Sequence, residues 1–379
     1  MKIDKFKVEY WLNPLDDKAK YNLGSSCCKP VTVDEMLEMT HTDKEAFFKE
    51  LSAMSLHYGY FTGMPRLKEA IAGLYTDVVT QEMVLCVHGG TGANAIVCYT
   101  LCEPGDNIVS ILPNYQQYYS IPESLGNEVR IYTCDEKSDY KIDFTELAKL
   151  VDSHTKMINL ASPNNPTGYA LDQSEMEQLA ELARSVGAYV VCDEIYRGLS
   201  DDYMPSICDV YEKGICTSST SKVFSSAGTR VGWIVTRDLS IKDAMMNMRS
   251  YHSICEGPIN ELIAAIILEN KEVFYKRNTA IVKAAQDVLK EWLKGQPHFK
   301  PAVESKSSTA FLYYDFDIPA ADFAQELYDK KSTLVCHGAC FEQEHCFRIG
   351  FGFGDLAYFK AGLDQIGEFV KELETEGRI

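Results

Sequence analysis

Three side chains in one part of the chain have the types and order needed to work an aldehyde cofactor. Lys222 closes the run Ser219-Thr220-Ser221-Lys222, and Asp193 and Tyr196 stand upstream in Cys192-Asp193-Glu194-Ile195-Tyr196, each just beyond an apolar run. An amine can hold an aldehyde as a Schiff base, an acid can keep a pyridine nitrogen protonated as part of an electron sink, and a phenol can tune the ring oxygen. Those are the requirements of pyridoxal phosphate. Each residue also has a plainer explanation: a lone lysine is usually a surface residue, and Asp193 with Glu194 fits a solvated pair at a strand end. An acid buried there would need a cationic partner, which a protonated pyridine nitrogen supplies. Asp193 is the better candidate because it directly follows its strand, whereas Glu194 should point to the opposite face.

Strands and helices must alternate to bring these groups to one edge, and from about residue 64 to residue 240 the sequence has that pattern. The fold class is therefore α/β, with a mainly parallel sheet and helices on both faces. Residues 64–79 and 93–102 read as helices, and residues 83–88, 107–112, 128–133, 156–161, 188–192, 214–219 and 230–236 as strands. From about residue 258 a long helical pattern runs to Trp292, and residues 309–314, 333–336 and 345–350 look like short strands packed with helices around 320–330 and 355–373. This is a second, smaller α+β lobe. The expected division is an N-terminal arm over residues 1–45, a large domain over 46–270 and a small domain over 271–379.

Composition narrows the function classes. The chain has 379 residues, long enough for two linked lobes. Its 37 Lys and Arg against 55 Asp and Glu give a formal charge of −18, which argues against a nucleic-acid surface and a polybasic membrane anchor. None of the 13 Cys forms a CxxC pair, so neither a zinc pattern nor a disulfide framework is visible, and reduced thiols in a cytoplasmic protein are expected. The start, Met1-Lys2-Ile3-Asp4-Lys5, has no apolar targeting region, and no run approaches the length of a membrane span.

Other candidates surround the first three. Gly89-Gly90-Thr91-Gly92 joins a strand to a helix, where backbone N–H groups and the helix dipole favour an anion. An ordinary tight turn explains the same residues, and the loop lacks the GxGxxG and GKT/GKS patterns. Asn165, in Ser162-Pro163-Asn164-Asn165-Pro166-Thr167-Gly168, follows a buried strand and precedes a proline, which favours an extended backbone that could aim its amide into the crevice; a turn is the simpler alternative. Arg230 fits either a strand-edge residue or a bidentate phosphate contact. Tyr115 offers a face for a pyridine ring or belongs to a core cluster with Tyr118 and Tyr119. Arg348, in Cys346-Phe347-Arg348-Ile349-Gly350, is a charge inside an apolar strand and needs a carboxylate.

Pro113-Asn114-Tyr115, the 162–168 segment, Asp193-Glu194-Ile195-Tyr196, the 219–222 run, Arg230-Val231-Gly232-Trp233 and Phe347-Arg348-Ile349-Gly350 together resemble the class I/II aminotransferases, fold-type I pyridoxal-phosphate enzymes. The resemblance spans roughly residues 20–370. It implies Lys222 as Schiff-base lysine and catalytic base, Asp193 at the pyridine nitrogen, Asn165 and Tyr196 at the ring hydroxyl and Tyr115 stacked on the ring. It further implies Gly89, Gly90, Thr91, Ser219 and Arg230 around the phosphate, and Arg348 on the substrate carboxylate with Gly24 and Asn165 beside it. Amino acid and 2-oxo acid substrates and a homodimer with shared active sites follow from the same resemblance, with Tyr58 reaching the partner's phosphate.

The chain departs from the family pattern at Asn22-Leu23-Gly24-Ser25-Ser26-Cys27-Cys28-Lys29-Pro30, where a glycine-rich segment with Pro-Asp is usual, and at Ser225 and His337. Residues 23–26 with the start at 9–12 resemble capreomycidine synthase, a fold-type I enzyme of β-replacement chemistry. Transamination is the expected activity. A β-lyase or cyclase, and a non-catalytic cofactor or amino-acid sensor, are the alternatives.

Overall fold

The computed structural model describes residues 2–352 and 354–379. Its large sheet has seven strands, in the spatial order Val84–His88, Val231–Thr236, Gly214–Ser219, Tyr189–Asp193, Thr155–Ala161, Asn107–Leu112 and Glu128–Thr133. Val231–Thr236 runs antiparallel to both of its neighbours, and the other pairs are parallel. The strands are rich in Val and Ile because parallel strands covered on both faces need apolar side chains on both. Alternate residues divide between two cores: Val190 and Cys192 belong to one, Val191, Ile108 and Met157 to the other. The helices Gly89–Leu101 and Gln173–Val186 are among those covering the sheet. The parallel strands end together at His88, Leu112, Ala161, Asp193 and Ser219, the edge where ligands of open α/β sheets bind.

The second sheet has the order Cys336–His337, Cys346–Gly350, Thr309–Tyr314, Phe299–Pro301, all antiparallel. It packs with the helix Ala320–Lys331, which in turn packs against Leu356–Thr375. Tyr21–Asn22 pairs in parallel with Thr333–Leu334, tying the N-terminal segment to this C-terminal unit. Among the described residues no helix is long and apolar enough to cross a membrane.

Several elements differ from the sequence expectation. The helix after Val84–His88 begins at Gly89 rather than Ala93, so the glycines form its first turn. The pattern at 64–79 shortens to Pro65–Ala72, with Pro65 at the first helical position and Gly73 at its end. The long pattern from 258 divides into Pro258–Glu269 and Lys271–Leu293. Asn270 leaves the helical conformation, and its side-chain Nδ2 donates to the Ile266 carbonyl at 2.8 Å, offering the backbone a local alternative to a continuous helix.

Candidate active site

At the C-terminal edge of the large sheet lies a cavity of about 540 Å³, closed on the far side by the N-terminal segment and by Arg348 of the second sheet. Lys222, Asp193, Tyr196, Asn165, Tyr115, Arg230, Gly90, Thr91, Gly24 and Arg348 all line it. Residues from more than 300 positions of sequence thus converge on one space.

Lys222 is half-buried, three residues beyond the end of Gly214–Ser219. Its Nζ donates to Ser26 Oγ at 2.8 Å and to Cys27 Sγ at 3.3 Å. Burial pulls the ammonium down, but Cys27 and Tyr196 outweigh it, and the net direction is up.

Asp193 is the last residue of its strand and is 6% exposed. One carboxylate oxygen accepts from Asn94 Nδ2 at 3.1 Å and the other from the Ile195 N–H at 3.0 Å. Burial, only partly offset by those bonds, raises its pKa from 3.8 to about 6. Asn94 Oδ1 in turn accepts from the Tyr118 hydroxyl at 2.7 Å, which also lies 2.9 Å from Thr217 Oγ1. This buried chain fixes the carboxylate's orientation. Glu194 does face the other way: it is buried and paired with Arg197 at 2.8 Å, with Ser206 Oγ and the Ile207 N–H also donating to it.

The glycine turn and Arg230 meet from two strands. Gly89 has φ +68°, and a Cβ there would stand 2.6 Å from Arg230 Nη2, so only glycine lets the guanidinium approach the helix N-terminus so closely. Gly232 allows the matching approach of the neighbouring strand, since its Cβ would lie 2.3 Å from the Gly89 carbonyl carbon. Arg230 itself has φ +53°, and its Nη1 donates to the Ala227 carbonyl at 3.0 Å. A left-handed conformation is uncommon at a non-glycine residue. Ser219 is fully buried with its hydroxyl accepting from the Ser221 N–H at 3.2 Å, and it is Ser221 that reaches the cavity wall.

On the opposite wall, Arg348 is 2% exposed. Its Nη1 donates to Asn165 Oδ1 at 2.9 Å and its Nη2 to the Gly24 carbonyl at 2.8 Å, while Nε has no partner among the described residues. Asn165 therefore keeps Nδ2 as its remaining donor. Tyr115 donates to Glu9 Oε1 at 2.8 Å and packs edge-on against Phe6; burial first, then the Glu9 carboxylate, push its phenol well up. Tyr58 is 65% exposed and does not line the cavity of its own chain.

Residues 24–366 fit the model of the aminotransferase class I and II family. The chain belongs to that family. It is 35% identical to a PLP-dependent aminotransferase from Streptococcus suis, with a TM-score of 0.95 over 98% of this chain and 99% of that one. It is 27% identical to nicotianamine aminotransferase 1 of Oryza sativa subsp. japonica, over 82% of this chain and 67% of the relative. The PLP-dependent cyclase OrfR has the same fold at 22% identity, with a TM-score of 0.88 over 98% of each chain. The protein is thus an enzyme of the aminotransferase class, and its cofactor is pyridoxal phosphate.

The residues present fit that cofactor. Asp193 is a buried carboxylate with no cationic side chain in ion-pair contact among the described residues, as a partner for a pyridinium requires. The Gly89 cradle brings a guanidinium and a helix N-terminus together, as a phosphate requires. Lys222 supplies the amine within the same cavity.

Some contributors escape a reading of the sequence. Asn94 is detectable there only as a carboxamide in the otherwise apolar helix Gly89–Leu101. Glu9 and the pairing of Ser26 and Cys27 with Lys222 carry no local signal, because each depends on a contact across 100 residues or more.

Proposed function

We propose that this protein moves an amino group from an L-amino acid to a 2-oxo acid, taking the two substrates in turn at one site. The observation that carries it is the convergence of Lys222, Asp193 and Arg348 on a single cavity. In this proposal Lys222 would hold the cofactor's aldehyde, Asp193 would pair with the ring nitrogen, Asn165 and Tyr196 would hold the ring oxygen, and Tyr115 would cover the ring. Gly89, Gly90, Thr91, Ser219 and Arg230 hold the phosphate, with Ser221 added from the cavity wall. Bound there, pyridoxal phosphate supplies an aldehyde that takes up the amino group and a ring that accepts the electron pair left by the departing α-proton.

The chain's own groups do the rest. Arg348 receives the substrate α-carboxylate, with Gly24 and Asn165 fixing the guanidinium, and so holds Cα before Lys222. Lys222 Nζ would accept the α-proton and hold it until reprotonation. Asp193 keeps the ring nitrogen protonated while negative charge develops. Arg348 reads only the carboxylate common to all α-amino acids.

The same proposal makes the protein a homodimer. Leu56, Tyr58, Tyr60 and Phe61 are all exposed, an apolar run that favours a protein interface, and Tyr58 would reach the partner's phosphate seat. The division into residues 1–45, 46–270 and 271–379 belongs to it as well. So does a cytoplasmic location, which the 13 free cysteines favour.

Addition of amino acids one at a time to the cofactor-loaded protein tests the reaction. A donor should bleach the visible band, a 2-oxo acid should restore it, and no ammonia should appear. Ammonia released without a second oxo acid would replace transamination by elimination or cyclisation.

A further inference from the structure

The segment at residues 24–27 does more than wall the cavity. It is fastened on several sides: the Gly24 carbonyl accepts from Arg348, the Ser26 carbonyl accepts from Ser308 Oγ at 2.7 Å, and Gly350 lies so close to the Ser25 carbonyl that any Cβ there would overlap it. A segment held in this way presents the Ser26 hydroxyl and the Cys27 thiol to Lys222 Nζ in a fixed geometry, at 2.8 and 3.3 Å. No other hydrogen-bond partner meets that nitrogen among the described residues.

We infer that Ser26 and Cys27 are the seat of the Lys222 amine while it is detached from the cofactor, fixing where Nζ waits between its proton transfers. This rests on the assignment of Lys222 as the reacting amine. The residue types suit the task. A hydroxyl both donates and accepts, and a thiol does so weakly, so the nitrogen keeps partners whether it carries three hydrogens or two. A carboxylate in either place would hold the proton on the lysine more firmly than a thiol or hydroxyl does, and a methyl would leave a buried amine without a partner. The other charged or titratable groups that act on this amine are Tyr196 and Arg348, while Asp193 and Cys28 respond to its charge from nearby. Cys27 is the largest of the influences that favour the ammonium, against burial.

The test titrates the lysine itself. Cofactor-free protein is reductively methylated with formaldehyde and cyanoborohydride across a pH series, and the extent of modification at Lys222 is read by peptide mass spectrometry. Wild type is compared with Ser26→Ala, Cys27→Ala, Cys27→Ser and the double alanine variant, each checked for native circular dichroism. Without the seat, burial is opposed chiefly by Tyr196, so the double variant should titrate lower and be modified faster than wild type at neutral pH. Cys27→Ser keeps a hydrogen-bond partner without the ionisable thiol and should fall between wild type and Cys27→Ala. Coincident wild-type and double-variant profiles would overturn the inference. If the double variant does not fold, single alanine variants that titrate with wild type would overturn it equally. A Lys222→Ala protein that still forms the visible band with pyridoxal phosphate would instead sink the assignment of Lys222, a separate failure.

Discussion

The two walls of the cavity are built on different plans. On the sheet wall, Asp193 and Ser219 end strands and Gly89 directly follows one, so support and function lie within a few residues of each other. On the facing wall Arg348 is set by bonds to Gly24, 324 positions away, and to Asn165, 183 positions away. A parallel sheet brings its strand ends together by topology alone, which suits groups needed in every cycle. The facing wall exists only where the N-terminal segment closes on the second sheet, so it can change its residues without disturbing the sheet. The sheet wall should therefore govern cofactor chemistry, and the facing wall substrate handling.

Substitutions on each wall separate the two roles. The largest effect belongs to Asp193→Asn, which should lower kcat/KM about a thousandfold by removing the group that stabilises charge on the ring. It also has a signature in stability. The carboxyl value of about 6 in the fold lies above the ordinary 3.8, so the cofactor-free fold retains a proton that the unfolded chain has already released. Stability from this group is present at low pH and falls by about 3 kcal/mol as pH rises from 3.8 to about 6. Urea midpoints of cofactor-free wild type and Asp193→Asn should differ in slope over that interval, and parallel profiles would refute the buried-acid account.

Arg348→Ala comes next. It should raise KM for the amino acid about a hundredfold, the loss of a charge-assisted bidentate contact, while the cofactor spectrum stays as in wild type. A changed spectrum would mean that the walls are not separable. Gly89→Ala should have the smallest effect, weakening cofactor affinity about tenfold, since its Cβ meets a guanidinium nitrogen, the movable end of a long side chain, at 2.6 Å. Equilibrium dialysis of the cofactor measures it; an unchanged affinity would remove Gly89 from the phosphate seat.

The same contrast explains what can be read in the sequence. Strands 107–112, 128–133, 214–219 and 309–314 are legible to the residue because their β-branched and aromatic stretches give way within three positions to proline or a charged residue. Asp193, Tyr196 and Lys222 are legible with them, as polar groups just beyond such runs. Asn270 is not, because a single carboxamide inside a helical pattern is usually tolerated and here breaks it. Glu9 and Asn94 show the two ways a site residue hides. One lies on a short helix whose place in the fold is set by distant contacts, and the other forms part of an otherwise apolar helix face. Tyr58 is reached through the family resemblance alone, and within one chain it meets none of the cavity.

The central claim, that Lys222 is the amine to which the cofactor attaches, has one direct test. Protein loaded with pyridoxal phosphate is reduced with borohydride and digested, and the modified peptide is sequenced by mass spectrometry. The expected result is a single pyridoxyl adduct on Lys222, lost in Lys222→Ala together with the visible band. An adduct on a different lysine, or an unchanged band in the variant, would contradict the account.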